Sequence, residues 1–121
     1  MRVAAVISDL MLYSRIESAA TAAGASLIRV DSPVSLPGDF DLVLVDWSAR
    51  QAGWTEALAT APGRLILFGQ HTDLGAHAAA RGAALGPMWA RSKLLASLPE
   101  LLSPAGGQSD EASSANSATL S

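Results

Sequence analysis

The side chains of this chain that could carry chemistry are mainly carboxylates and guanidinium groups. Asp9 closely follows the apolar residues 3–7, and Asp46 ends the apolar run at 42–45. Arg91 follows a third, shorter apolar segment late in the chain. Two carboxylates that converge beside a cation are the starting point of a Mg²⁺ site, because this ion binds through oxygen ligands. The residue types therefore predict a polar site if the fold brings these three segments together.

The composition excludes several classes of protein. The 121 residues contain no cysteine, which rules out disulfide frameworks, thiolate zinc sites and cysteine nucleophiles, and two histidines are too few for a histidine-rich metal site. The net charge of −3 has the wrong sign for a general binder of nucleic acid or anionic membranes, so we expect neither partner. No apolar run approaches the roughly 18 residues of a membrane span, and we expect a cytoplasmic protein.

Apolar runs alternate with segments of helical periodicity along residues 1–102. The predicted strands are residues 3–7, 26–30, 42–45, 65–68 and 87–90. The predicted helices are residues 10–23, 49–60, 73–81 and 92–102. Continuously apolar strands that are each followed by a helix are typical of a parallel sheet covered on both faces.

This pattern predicts a flavodoxin-like, doubly wound α/β fold with a five-stranded parallel sheet of order 2-1-3-4-5 in a three-layer α/β/α arrangement. The second connection, residues 31–40, contains Pro33, Pro37 and Gly38, so we expect its helix to be shortened or absent. Beyond Leu102 the side chains are almost all small or polar. We therefore expect a domain at 1–102 and a disordered C-terminal tail at 103–121.

In a sheet of this kind, ligands bind beyond the carboxyl ends of the strands. The first strand brings Ser8 and Asp9 to that edge, and the third strand brings Asp46. Because these strands are neighbours in the predicted order, we expect Asp9 and Asp46 to converge and to be the ligands of a Mg²⁺ ion if one binds. The other residues expected at this edge are Gly69, Gln70, His71, Arg91 and Lys93.

The sequence resembles the receiver domains of two-component response regulators over essentially all of residues 1–102. The segments that carry the resemblance are Ser8-Asp9 followed by Arg15-Ile16, and Val43-Leu44-Val45-Asp46-Trp47. The resemblance implies that Asp46 is the phosphoacceptor and that Asp9 is a metal-binding acid, with Mg²⁺ as the cofactor. It also implies that a basic side chain after the fifth strand, Arg91 or Lys93, is the counter-charge.

Three positions depart from the pattern of that family. Ser8 replaces the first of its two acids, Gly69 replaces a Ser or Thr, and Arg91 stands where the family has Lys. Loss of one carboxylate weakens a Mg²⁺ site, and a planar guanidinium is not equivalent to an ammonium group. Without a hydroxyl at Gly69, the loop after the fourth strand lacks the group that would follow a phosphoryl group.

These departures favour a stand-alone, degenerate receiver-like signalling domain that is not an enzyme, needs no cofactor and acts through protein–protein interaction. The alternative is a single-domain response regulator that accepts phosphate on Asp46 with Mg²⁺. A third hypothesis is a small-ligand sensor that uses Gln70 and His71. Structural roles are open as well, with Asp9 as a helix N-cap and Arg91 as an ion-pair partner of the two acids.

The last helix and the fifth strand are the predicted interaction surface. The leucines of this helix are too frequent for one buried stripe, which predicts that a protein partner or a second copy of the chain covers them. They are Leu94, Leu95, Leu98, Leu101 and Leu102. We also expect Pro99 to interrupt the helix near Leu98.

Overall fold

The computed structural model describes residues 1–60, 63–70 and 72–103, which form an α/β domain. In these residues the strands are β1 (Arg2–Val6), β2 (Ser26–Val30), β3 (Leu42–Asp46), β4 (Arg64–Gly69) and β5 (Met88–Ala90). The helices are α1 (Leu10–Ala23), α2 (Trp54–Ala59), α3 (Leu74–Gly82) and α4 (Arg91–Leu102). All neighbouring strands are parallel, and their order is β2-β1-β3-β4-β5. The predicted fold class is confirmed. His71 lies outside the described residues. So do residues 104–121, which make up most of the expected tail.

The helices cover both faces of the sheet. Side chains of β1 and β3 are buried in two separate cores, which explains why these strands read as continuous apolar runs. Ile16 of α1 and Leu94 of α4 belong to the core on one face. Leu58 of α2 and Ala80 of α3 belong to the core on the other face. The arrangement therefore has three layers, as predicted.

The second connection contains a single 3-10 turn, Pro33–Ser35, where the other crossovers carry an α-helix. Pro33 has no backbone N–H and a fixed φ, which suits the first position of such a turn. The hydroxyl of Ser32 caps the turn by accepting a hydrogen bond from the Val34 amide at 3.2 Å. The expectation of a shortened helix in this connection is confirmed.

The third connection is more broken than its sequence pattern indicated. A 3-10 turn, Trp47–Ala49, follows β3, and the regular helix α2 has only 6 residues. Gly53 has a φ of 89° at the start of α2, a left-handed conformation from which the helix cannot extend backwards. The predicted helix over residues 49–60 is therefore wrong in its first half.

The last helix is regular and its leucines are mostly buried. Helix α4 continues through Pro99 to Leu102, so the predicted interruption near Leu98 is not observed. Its buried leucines pack against the sheet and α1 in the domain's own core, and Leu95 is partly buried beside them. These buried residues are Leu94, Leu98, Leu101 and Leu102. The premise that they need a partner to cover them was therefore wrong.

None of the helices in the described ranges is both long enough and apolar enough to cross a membrane.

Candidate functional site

The strand register gathers the predicted site at the carboxyl edge of the sheet. The last register pair of β1 and β3 is Val6 with Val45, which is the residue before Asp46. Gly69 of β4 pairs with Ala90 of β5, the residue before Arg91. Residues at the carboxyl ends of four strands, which are far apart in the sequence, therefore lie at one edge of the domain.

Arg91 bridges the two carboxylates. Its Nη1 lies 3.3 Å from Oδ2 of Asp9, and its Nη2 lies 3.4 Å from Oδ2 of Asp46. Both distances exceed the roughly 2.8 Å of a strong guanidinium–carboxylate hydrogen bond, so each contact is individually loose. The convergence of Asp9 and Asp46 is observed, and the ion-pair interpretation of Arg91 describes the geometry.

Asp46 is the buried member of this cluster. Its side chain is 7% exposed, and burial raises the pKa of its carboxyl group above the ordinary value. The positive charge of Arg91 and the backbone N–H of Ser48 act in the opposite direction and lower that pKa without cancelling the effect of burial. Oδ1 of Asp46 has no hydrogen-bond partner among the described residues, and neither has Nε of Arg91. Asp46 is therefore a carboxylate that the fold accommodates at a cost.

Asp9 is the more exposed member and is also the N-cap of α1. Its Oδ1 accepts hydrogen bonds from the amides of Met11 at 3.0 Å and Leu12 at 3.2 Å. The Leu12 hydrogen bond lowers the pKa of Asp9, and the charge of Arg91 adds to this effect. One oxygen of Asp9 therefore caps a helix while the other contacts Arg91.

In this geometry Arg91 occupies the place between the two carboxylates in which Mg²⁺ would bind. The Oδ2 atoms of Asp9 and Asp46, which would be the metal ligands, both face the guanidinium of Arg91. A divalent cation between these oxygens would stand beside an existing positive charge and would repel it. No group of three or more His, Asp or Glu side chains that could hold a metal ion occurs in the described ranges. The cation that the two carboxylates share is Arg91.

The other predicted residues are divided between this cluster and its surroundings. Ser8 is exposed, and Gly69 is buried at the end of β4. Lys93 does not contact the carboxylates, because its Nζ lies 4.4 Å from the centre of the Trp89 ring in a cation–π contact. Of the two counter-charge candidates, only Arg91 pairs with Asp46.

Arg91 and Ser92 line two cavities at this edge. The larger, of about 710 Å³, lies between the first turns of α1 and α4 and also includes Asp9, Met11, Leu12, Ser14, Arg15 and Leu95. The smaller, of about 400 Å³, also includes Gly69, Gln70, Thr72 and Ala90. Gln70, on which the small-ligand hypothesis depends, belongs to the smaller cavity.

Ser48 is a site residue that sequence reasoning missed. It lies in the 3-10 turn after Asp46, and its Oγ accepts a hydrogen bond from the backbone amide of Gln70 at 3.2 Å. The nearby Trp47 donates its indole N–H to the carbonyl of Ala76 at 3.0 Å. The turn after β3 is therefore attached to the loop after β4 and to α3.

No family model and no curated protein matches this chain. The fold and the geometry of its carboxyl edge are thus the observations from which a function is inferred.

Proposed function

We propose that this protein is a degenerate receiver-like domain that signals by binding another protein and does not transfer phosphoryl groups. The observation that carries the proposal is the Asp9–Arg91–Asp46 bridge, in which a guanidinium takes the place between two carboxylates. The overall fold and the position of Asp46 at the end of β3 agree with the resemblance noted in the sequence.

Phosphorylation of Asp46 would be costly in this environment. A phosphoryl group brings additional negative charge to a carboxylate that is already buried beside Asp9. Arg91 supplies one positive charge, which is already shared between the two carboxylates, and it lies where Mg²⁺ would bind between them. The charge balance therefore favours a site that remains unmodified.

The carboxyl edge is also where we propose that the partner binds. The exposed large hydrophobic side chains of the described residues all follow the ends of strands β1, β2 and β4, and they are between 62% and 82% exposed. They are Leu10, Met11, Val34 and Leu74. Exposed apolar side chains rimmed by polar residues mark protein-binding surfaces, and this is the basis on which we place the partner at this edge. The surface on α4 and β5 is an alternative binding site for the partner, but the leucines of α4 do not support it because most of them are buried in the domain's own core.

The proposal is tested by incubating the purified protein with Mg²⁺ and acetyl phosphate and measuring its intact mass. We expect no phosphoryl adduct, so that the wild type and Asp46→Asn each keep the mass of their own unmodified chain. A stoichiometric phosphoryl adduct that is lost in Asp46→Asn would overturn the proposal and establish the phosphorylatable response regulator instead. A response regulator known to accept phosphate from acetyl phosphate serves as the positive control.

A further inference from the structure

Gly69 is a glycine that its backbone conformation does not require. It ends β4, and it is not among the glycines that adopt a positive φ. Four other glycines of the described residues have φ angles between 72° and 98°, and these left-handed conformations explain them. A different reason, based on space, must account for the missing side chain at Gly69.

The space that a side chain at Gly69 would need is occupied by Ser48. A Cβ atom added to Gly69 would overlap the Oγ of Ser48 and would lie 3.2 Å from the Cβ of Ser48. The Sδ of Met88 would lie 3.0 Å away on β5. A side chain at residue 69 therefore requires the Ser48 hydroxyl to leave its present position, which would break its hydrogen bond to the Gln70 amide.

The hydroxyl of Ser48 forms a link between two loops. It accepts a hydrogen bond from the Gln70 amide, which is the first backbone donor beyond β4. The same 3-10 turn is held on its other side by the hydrogen bond from the Trp47 indole to the Ala76 carbonyl. Trp47 is 1% exposed, so this second attachment is shielded from water. Movement of the turn after Asp46 would have to break both attachments.

We propose that Ser48 and Gly69 form a latch that holds the turn after Asp46 against the loop after β4. Ser48 supplies, from the turn after β3, the hydroxyl that Gly69 lacks, and Gly69 leaves the space that this hydroxyl needs. The latch keeps the carboxyl edge in one arrangement, with Asp46 facing Arg91. The functional role of the latch rests on the proposed function. A carboxyl edge that is held in one arrangement suits a binding surface that phosphorylation does not switch.

Hydrogen exchange of the Gln70 amide, measured by NMR on the full chain, tests the hydrogen bond of the latch. Ser48→Ala removes the acceptor, and we expect exchange at Gln70 to accelerate about tenfold, as the loss of one net hydrogen bond predicts. The amide of Leu67, inside β4, should keep its rate. Ser18→Ala, at an exposed position of α1, is the matched control and should change neither rate.

Swapping the residues at positions 48 and 69 tests whether the Ser48 hydroxyl and a side chain at residue 69 compete for the same space. Gly69→Ser alone overpacks the site and should lower the midpoint of thermal unfolding by roughly 5–15 °C. The double variant Ser48→Gly/Gly69→Ser moves the hydroxyl from the turn after β3 to the end of β4 and should recover at least half of that loss. Gly82→Ser, at a helical glycine with open space around its Cβ position, is the matched control for adding a serine.

The outcomes separate the latch from the proposed function. Unchanged Gln70 exchange in Ser48→Ala, or no recovery in the double variant, would overturn the latch whether or not the protein accepts phosphate. A phosphoryl adduct on Asp46 in a protein whose Gln70 amide does respond to Ser48→Ala would overturn the proposed function and leave the latch established. The latch is supported when both the accelerated exchange and the recovery are observed.

Discussion

Replacing Arg91 by methionine tests whether the ion-pair cluster has the energetic role that its geometry indicates. Methionine keeps most of the aliphatic length of arginine but removes the charge that Asp9 and Asp46 share. The main cost is the buried Asp46 carboxylate, which would lose its positively charged partner. Leaving such a charge uncompensated costs about 3 kcal/mol, the lower end of the range for buried pairs, because both contacts of Arg91 are long. The Asp9 contact adds little, since both of its partners are substantially exposed.

This cost is measured by thermal and urea unfolding at pH 7.5. A loss of about 3 kcal/mol corresponds to a midpoint lowered by roughly 10–20 °C for a domain of this size. In an Asp46→Asn background the same substitution leaves no buried charge behind, and we expect its cost to fall to about 1 kcal/mol. Arg15→Met, which removes an exposed arginine at the same edge, is the control and should cost less than about 0.5 kcal/mol.

The effect of Arg91→Met should also depend on pH. The pKa of Asp46 is raised above its ordinary value of 3.8, so the stability that this group contributes is present at lower pH and is lost as pH rises from that value through the folded pKa. Without Arg91 the pKa of Asp46 rises further, and the destabilisation should be larger at pH 7.5 than at pH 4.5. Asp9 has a lowered pKa, so its contribution is lost only as pH falls below 3.8 and does not confuse this comparison. Equal destabilisation at both pH values, or an equal cost in the Asp46→Asn background, would refute the reasoning.

Three other variants probe separate parts of the structure. Because burial raises the pKa of Asp46, Asp46→Asn should be at least as stable as the wild type at pH 7.5 and should lose that advantage near pH 4, as measured by thermal unfolding. A clear loss of stability in Asp46→Asn at pH 7.5 would contradict the raised pKa. Gly63→Ala should cost about 3 kcal/mol or more in urea unfolding, because Gly63 has a φ of 90° and an added Cβ would collide with the backbone carbonyl of Phe40. If the partner is a second copy of the chain, the wild type should self-associate at high micromolar concentration in sedimentation experiments and Met11→Glu/Leu74→Glu should remain monomeric, with Ala78→Glu as the control. Self-association that the double variant retains would place the interface elsewhere, and a monomeric wild type would exclude a second copy as the partner.

The sheet could be predicted from the sequence because its central strands β1, β3 and β4 are largely buried on both faces. Such strands read as uninterrupted apolar runs, and the helices between them fix parallel pairing and the crossover order. The buried leucines of α4 could not be interpreted in the same way. Periodicity predicts how wide an apolar stripe is. It does not predict that α1 covers the part of the α4 stripe that the sheet leaves uncovered, because this depends on the tertiary packing.

The site was predictable in its residue types but not in its connections. The position of Asp9 and Asp46 after neighbouring strands follows from the strand order, and their convergence could be expected on that basis. The bridge through Arg91 depends on the rotamer of a long side chain, which no spacing in the sequence specifies. Ser48 left even less signal, because the space beside Gly69 exists only where β3, β4 and β5 meet.

The carboxyl-edge cluster is better explained by function than by stability. A buried ion pair stabilises a fold weakly, and here Oδ1 of Asp46 and Nε of Arg91 lack hydrogen-bond partners among the described residues, which adds a cost. Burial also raises the pKa of Asp46 despite the neighbouring positive charge, so ionised Asp46 works against folding at neutral pH. Groups that reduce stability and lie at the edge where ligands of such sheets bind are candidates for recognition. Under the proposed function, the protein partner would contact the exposed apolar side chains that follow β1, β2 and β4 at this same edge.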